Sequence, residues 1–173
     1  MQIPGFRHAP ALLALALGLA ACSQGGGNQA QGDAAARGKY LVAIIGCNDC
    51  HTPGGLTPKP DMARFLGGSD ISFSVPGLGD FTPPNLTPDK TGLADWTPDQ
   101  IATAITTGKR PDGRMLAPTM PWNDFAALSH DDALAIAAYL KSLPPVVHKV
   151  PGPGPAKACG AGEAECIIPN PGG

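Results

Sequence analysis

Aromatic side chains are scarce in this chain of 173 residues: 5 Phe, 2 Tyr and 2 Trp make up 5% of it. A domain of this size ordinarily buries several large side chains. With 23 Gly and 20 Pro, little else is left to build a core from. Such a chain is short of apolar bulk, so something other than its own side chains is expected to supply it. Long apolar runs are missing too. The run Ala9 to Leu19 is too short to span a bilayer permanently. An excess of either charge is also lacking: 12 Lys and Arg stand against 14 Asp and Glu, a formal net charge of −2. That balance argues against nucleic acid or a strongly charged surface as partner. No segment shows convincing strand alternation, no internal repeat is visible, and no acid–base pair or nucleophile constellation stands out.

What is present is Cys47-Asn48-Asp49-Cys50-His51, a C-x-x-C-H. On one helical turn, positions i, i+3 and i+4 share a face, so two thiols and an imidazole point the same way. That arrangement suits covalent attachment of one haem c, the thiols bonding to the porphyrin edge and His51 ligating the iron. A redox disulfide or half a zinc site are the alternatives. The first calls for alternating strands and helices around the motif. The second calls for another ligand pair, and Cys159 and Cys166 lie in a Pro/Gly-rich tail with no nearby His. Haem is therefore the preferred reading, and it also supplies the missing bulk.

The N-terminus speaks to compartment. Arg7 and His8 precede the apolar run, which closes on Leu19-Ala20-Ala21-Cys22. Small residues before a cysteine resemble a bacterial lipoprotein signal, with Cys22 acylated as the first mature residue; an ordinary secretory leader is the alternative. Ser23 at the next position leans towards the outer membrane by the same resemblance. Loss of the leader removes one Arg, leaving 11 basic against 14 acidic residues and a charge of −3. Of the 5 cysteines, Cys22 takes lipid and Cys47 and Cys50 take haem. Cys159 and Cys166 remain, and a disulfide is their expected state in an oxidising envelope, two free thiols being the alternative.

Composition divides the chain into a signal (1–21), a Gly/Gln/Ser-rich tether (22–32), one globular domain (33–143) and a Pro/Gly-rich tail (144–173). Three helices are readable in the domain. The first starts near Asp33 and carries Tyr40, Leu41, Ile44 and Ile45 into the cysteine motif. The second has Thr97 as N-cap, Pro98 at its first position and Gln100 completing a capping box, and it stops at Gly108. The third is capped by Ser129 and ends before Pro144-Pro145. The long Gly/Pro-punctuated stretch from Thr52 to Trp96 is expected to wrap the haem.

For the second axial position, Met120 in Pro118-Thr119-Met120-Pro121-Trp122 is the preferred ligand, because flanking prolines stiffen its loop. A thioether is soft and raises the potential relative to a second imidazole. Met115 is its nearest rival and Met62 a weaker one. His130 and His148 would make a bis-histidine site. Lys109, Arg110 and Arg114 offer a basic patch on the loop that leads to Met120.

With these residues assembled, the chain resembles the class I cytochrome c family. It is similar above all to the cytochrome domains of membrane-associated alcohol and sugar dehydrogenases. The resemblance rests on Asn85-Leu86-Thr87-Pro88-Asp89, Thr91-Gly92-Leu93, Trp96, Met120-Pro121 and Ala138-Tyr139-Leu140 following the C-x-x-C-H. It implies an all-α, cytochrome c-like fold with three main helices and long loops wrapping one covalent haem. The first and last helices would cross, with Gly38 allowing the close approach against Tyr139. It also implies a backbone carbonyl accepting from His51, for which Pro58 and Pro60 are candidates. The function implied is one-electron transfer between redox partners, such as a dehydrogenase or terminal oxidase. The alternative is a haem enzyme or sensor that binds peroxide or a diatomic gas at an open sixth position. If Cys22 carries the lipid, Cys22→Ala protein is released from the membrane fraction; unchanged fractionation would establish a plain leader peptide instead.

Overall fold

The computed structural model describes Gln2 and residues 26–170, so the signal segment and Cys22 lie outside the described residues. Five helices carry the architecture: α1 (Gly26–Ile44), α2 (Cys47–His51), α3 (Pro98–Thr107), α4 (Trp122–Phe125) and α5 (His130–Ser142). Local chemistry explains where the later ones start and stop. Thr97 Oγ1 accepts from the Gln100 amide at 3.2 Å while Gln100 Oε1 accepts from the Thr97 amide at 2.9 Å, a complete capping box for α3. Gly108 ends that helix. Ser129 Oγ accepts from the Asp132 amide at 3.1 Å and starts α5, which stops just before Pro144-Pro145.

α1 begins at Gly26, earlier than the expected Asp33 and inside the stretch read as a tether. Ala34, Ala35 and Ala36 are strong helix formers, and a helix once nucleated propagates back through Gln29-Ala30-Gln31 at small cost. Its buried face is Leu41 and Val42, with Ile45 partly covered; Tyr40 and Ile44 are 56% and 59% exposed. α1 crosses α5 at Gly38. A Cβ there would overlap the backbone carbonyl of Ala135 and sit 2.9 Å from Tyr139 Cβ, so only glycine permits this approach. The core around the crossing consists of Leu41, Val42, Leu66, Leu93, Ile101, Ile136, Ala137 and Leu140. Lys141 in the last turn of α5 donates to the carbonyls of Leu93 and Ala94 at 3.0 and 2.9 Å, pinning the loop before α3 to the helix pair.

The expectation of an all-α fold is not met. A three-stranded antiparallel sheet, ordered β2-β1-β3, is formed by β1 (Ile71–Val75), β2 (Gly79–Phe81) and β3 (Cys166–Pro169). The strand Ile71-Ser72-Phe73-Ser74-Val75 does alternate, but its buried positions are the serines. A pattern search weighted to buried apolar residues passes over such a strand. The serines are tolerated inside because they are bonded: Ser72 Oγ meets Thr82 Oγ1 at 2.6 Å, and Ser74 Oγ donates to the Lys157 carbonyl at 3.0 Å. β1 and β2 are joined by a Pro76-Gly77 turn closed by the Leu78 amide on the Val75 carbonyl at 2.9 Å. β3 comes from beyond Leu143, where Cys159 and Cys166 are joined in a disulfide.

Replacing Gly38 with Ala should force α1 away from α5 and destabilise the protein by about 1–3 kcal/mol. A thermal melt of the purified protein checks this, and an unchanged midpoint would show that the crossing tolerates a side chain.

Candidate functional site

The α1 helix is broken by Gly46, whose φ of 70° lies in the left-handed region, and the next five residues form α2. This short helix holds Cys47, Cys50 and His51 on a single turn. Two loop segments clamp its last residue. The Gly68 amide donates to the His51 carbonyl at 2.8 Å, and His51 Nδ1 lies 2.8 Å from the carbonyl oxygen of Pro84. With Nδ1–H donating there, Nε2 is the nitrogen left with a free lone pair. Burial lowers the pKa of His51 below the ordinary histidine value, outweighing the opposing effect of the Pro84 bond, so the ring is neutral and able to ligate. The acceptor is therefore Pro84, not Pro58 or Pro60. The Pro83-Pro84 pair was the available signal, since two successive prolines hold an extended backbone whose carbonyls find no intrachain helix partner.

Beside α2 lies a cavity of about 620 Å³. Cys47, Cys50, His51 and Met120 all line it, together with Leu86, Trp96, Ile101, Ile105 and Leu140. Its volume falls in the usual range of sites that enclose an organic cofactor, roughly 300–1,000 Å³. Both thiols are free. Burial pushes the Cys47 thiol up to about 11 and raises that of Cys50, with Asp49 adding to both. These are protonated thiols, not the activated thiolates of a disulfide exchanger. No further ligand pair stands by for zinc: the one other cysteine cluster among the described residues is the Cys159–Cys166 disulfide with Glu163. Two thiols, a neutral imidazole and a thioether on one apolar-walled cavity are a donor set that can hold a c-type haem.

Met120 owes its place to backbone geometry. Its amide donates to the Ala117 carbonyl at 3.0 Å, and its carbonyl accepts from the Trp122 amide at 2.8 Å across Pro121, whose φ of −79° and ψ of 50° make an inverse γ-turn. Trp122 in turn packs on Gly108, where a Cβ would meet the indole at 2.6 Å, so the α3 terminus and the methionine loop are seated on each other. Met115 also lines the cavity but is 54% exposed; Met62 is 60% exposed and lies off it. His130 is exposed on α5, and His148 Nδ1 is 2.7 Å from the Gly67 carbonyl, away from the cavity. The basic loop does not present three free charges. Arg114 forms two bonds to Asp112 at 2.7 and 3.1 Å, while Arg110 turns inward over the Trp96 ring at 5.1 Å.

Residues missed in the sequence also line the cavity: Phe73 and Phe81 from the sheet, and Val150 to Pro153 from beyond Leu143. Asn85, in the Asn-Leu-Thr-Pro-Asp segment, is a buried hub. Its Oδ1 accepts from the Thr87 amide and hydroxyl at 2.9 and 2.7 Å, and its Nδ2 donates to Thr91 Oγ1 at 3.0 Å and the Val146 carbonyl at 2.7 Å.

A family model described as cytochrome c oxidase, cbb3-type, subunit III matches residues 33–140. The cytochrome c subunit of a quinone-dependent alcohol dehydrogenase from Gluconobacter oxydans is 35% identical over 130 residues, 73% of this chain and 25% of that subunit. The gluconate 2-dehydrogenase cytochrome c subunit of Pantoea cypripedii is 33% identical over 129 residues, 74% of this chain and 27% of that subunit. A dihaem cytochrome c-type protein of Cereibacter sphaeroides is 36% identical over 115 residues, 64% of this chain and 36% of that protein. The chain thus spans a quarter to about a third of the length of these relatives. Since the family match covers the helices and the cysteine turn that frame the cavity, the chain belongs to the cytochrome c family and is a cytochrome c domain homologous to the cytochrome subunits of dehydrogenases.

Proposed function

We propose that this chain is a single-haem c-type cytochrome that carries electrons one at a time in the bacterial cell envelope, with His51 and Met120 as axial ligands. The observation that carries the reading is the convergence of Cys47, Cys50, His51 and Met120 on one cavity. One haem is inferred because the chain holds one C-x-x-C-H. A c-type haem, once bound, supplies reversible one-electron chemistry at its iron. The residues do the rest. Cys47 and Cys50 make retention covalent, Pro84 orients the His51 ring and strengthens it as a ligand, and the proline-framed Met120 favours the reduced state. The partner follows from the relatives, which are named as cytochrome subunits of alcohol, gluconate and fructose dehydrogenases. A dehydrogenase is accordingly the proposed donor, and the chain itself is not the catalyst. The lipid on Cys22 is the proposed anchor, at the outer membrane, with the cytochrome domain over 33–143.

The cavity also argues for cofactor-dependent stability. Leu86, Trp96, Ile101, Ile105 and Leu140 turn apolar surface to it, and a bound group that covers this surface adds its binding free energy to that of folding. Haem-free protein should therefore show little cooperative melting by circular dichroism; melting near the holo midpoint would mean that the polypeptide builds its own core.

The double variant Cys47→Ala/Cys50→Ala should lose the covalent haem mass in a denaturing mass spectrum. Met120→Ala should keep the mass, lower the potential and admit exogenous ligands to the iron, whereas Met115→Ala should change neither. A spectral change confined to Met115→Ala would overturn the ligand assignment, and an open sixth position in the unaltered protein would favour the peroxide- or gas-binding alternative.

A further inference from the structure

The family match ends at residue 140, yet the chain from Val146 to Asn170 is bonded back onto the domain along its length. The first anchor is polar and buried. The Val146 amide donates to Thr87 Oγ1 at 3.0 Å, Asn85 Nδ2 donates to the Val146 carbonyl, and the His148 amide donates to Thr91 Oγ1 at 3.2 Å. The second lies just past residue 153. The Asp80 amide donates to the Gly154 carbonyl at 2.8 Å, and the Gly154 amide returns a bond to the Asp80 carbonyl at 3.1 Å. Further on, the Lys157 amide donates to Ser74 Oγ at 2.8 Å, and β3 pairs with β1. Between the two anchors stretch Val150, Pro151, Gly152 and Pro153, and all four line the cavity that also holds Cys47, Cys50, His51 and Met120.

The composition of that span suits an apolar wall. Proline has no N–H, so Pro151 and Pro153 face the cavity without bringing an unpaired donor to it. Val150 Cγ1 sits close to Gly68, the residue whose amide clamps the His51 carbonyl. At its far end the span is tied to the sheet by the Asp80–Gly154 pairing, and the sheet contributes Phe73 and Phe81 to the same cavity. A loosely tethered tail would need neither the anchors nor the apolar choice.

We propose that residues 150–153, strapped down by the Asn85–Thr87–Thr91 cluster and the β2-β1-β3 sheet, form a built wall of the haem site that keeps water and small molecules from that side. The inference rests on the haem reading above. A wall of this kind raises the potential, because removing water disfavours the more highly charged oxidised state, and it directs electron exchange through the part of the cavity mouth left open.

The test uses the holoprotein and two variants: deletion of residues 144–173, and Val150→Ala/Pro151→Ala/Pro153→Ala, in which the anchors stay and only the wall is thinned. Denaturing mass spectrometry first reads covalent haem in all three. Its absence from the unaltered protein would defeat the haem reading itself, and the wall with it. With haem attached, both variants should show a lower midpoint potential and reduction by ascorbate several-fold faster than the unaltered protein. If the deletion protein does not fold, the triple variant decides alone. A triple variant with unchanged potential and unchanged reduction rate overturns the wall while leaving the haem reading standing.

Discussion

The structure depends on a cavity that its own side chains leave unfilled. Nine aromatic residues in 173 do not suffice to close about 620 Å³ in the middle of the domain. Every neighbouring element presents a face to it. α2 brings Cys47, Cys50 and His51, α3 and α5 bring Ile101, Ile105 and Leu140, and the loops close the remaining sides. The helix pair α1 and α5 anchors the hydrophobic core of the described residues, helped by close approach at Gly38.

Irregular chain is an expensive way to build walls, because its backbone groups must be satisfied without a regular ladder. Here side chains solve the problem at a few buried points. Asn85 and Thr87 join three segments through six hydrogen bonds of their side chains. Thr52 Oγ1, immediately after His51, accepts from the buried Leu66 amide at 2.9 Å. Leu66 itself is fully buried with a φ of 56°, a conformation that a leucine holds only when its surroundings over-determine it. The loops are thus rigid where they meet the histidine. A ring held from both its carbonyl and its Nδ1 has little freedom to reorient.

Sequence and structure parted where contacts were distant or polar. The sheet was missed because β1 buries serines, and because its second partner, β3, lies almost a hundred residues further on. The carbonyl that orients His51 was sought at Pro58 and Pro60, within ten residues, and was found at Pro84, 33 residues away. Which face of α1 is buried was decided by the crossing at Gly38, which turns Leu41 and Val42 inward and leaves Tyr40 and Ile44 exposed. In the basic loop read as a free patch, Arg114 pairs with Asp112, while Arg110 lies over Trp96 and also approaches Asp112 at 3.6 Å.

By itself, the sequence determined what happens within one or two helical turns: the shared face of Cys47, Cys50 and His51, the capping box at Thr97 and Gln100, the Ser129 cap, and the stops at Gly108 and Pro144. Those depend on fixed spacings and on bonds between near neighbours, which residue order alone specifies. Only the tertiary structure decided which carbonyl holds the histidine, that Asn85 grips Val146 across 61 positions, and that Val150 to Pro153 belong to the cavity. Such contacts are selected by the joint packing of helices, loops and sheet, and many arrangements satisfy the same local rules until the whole chain closes around one cavity.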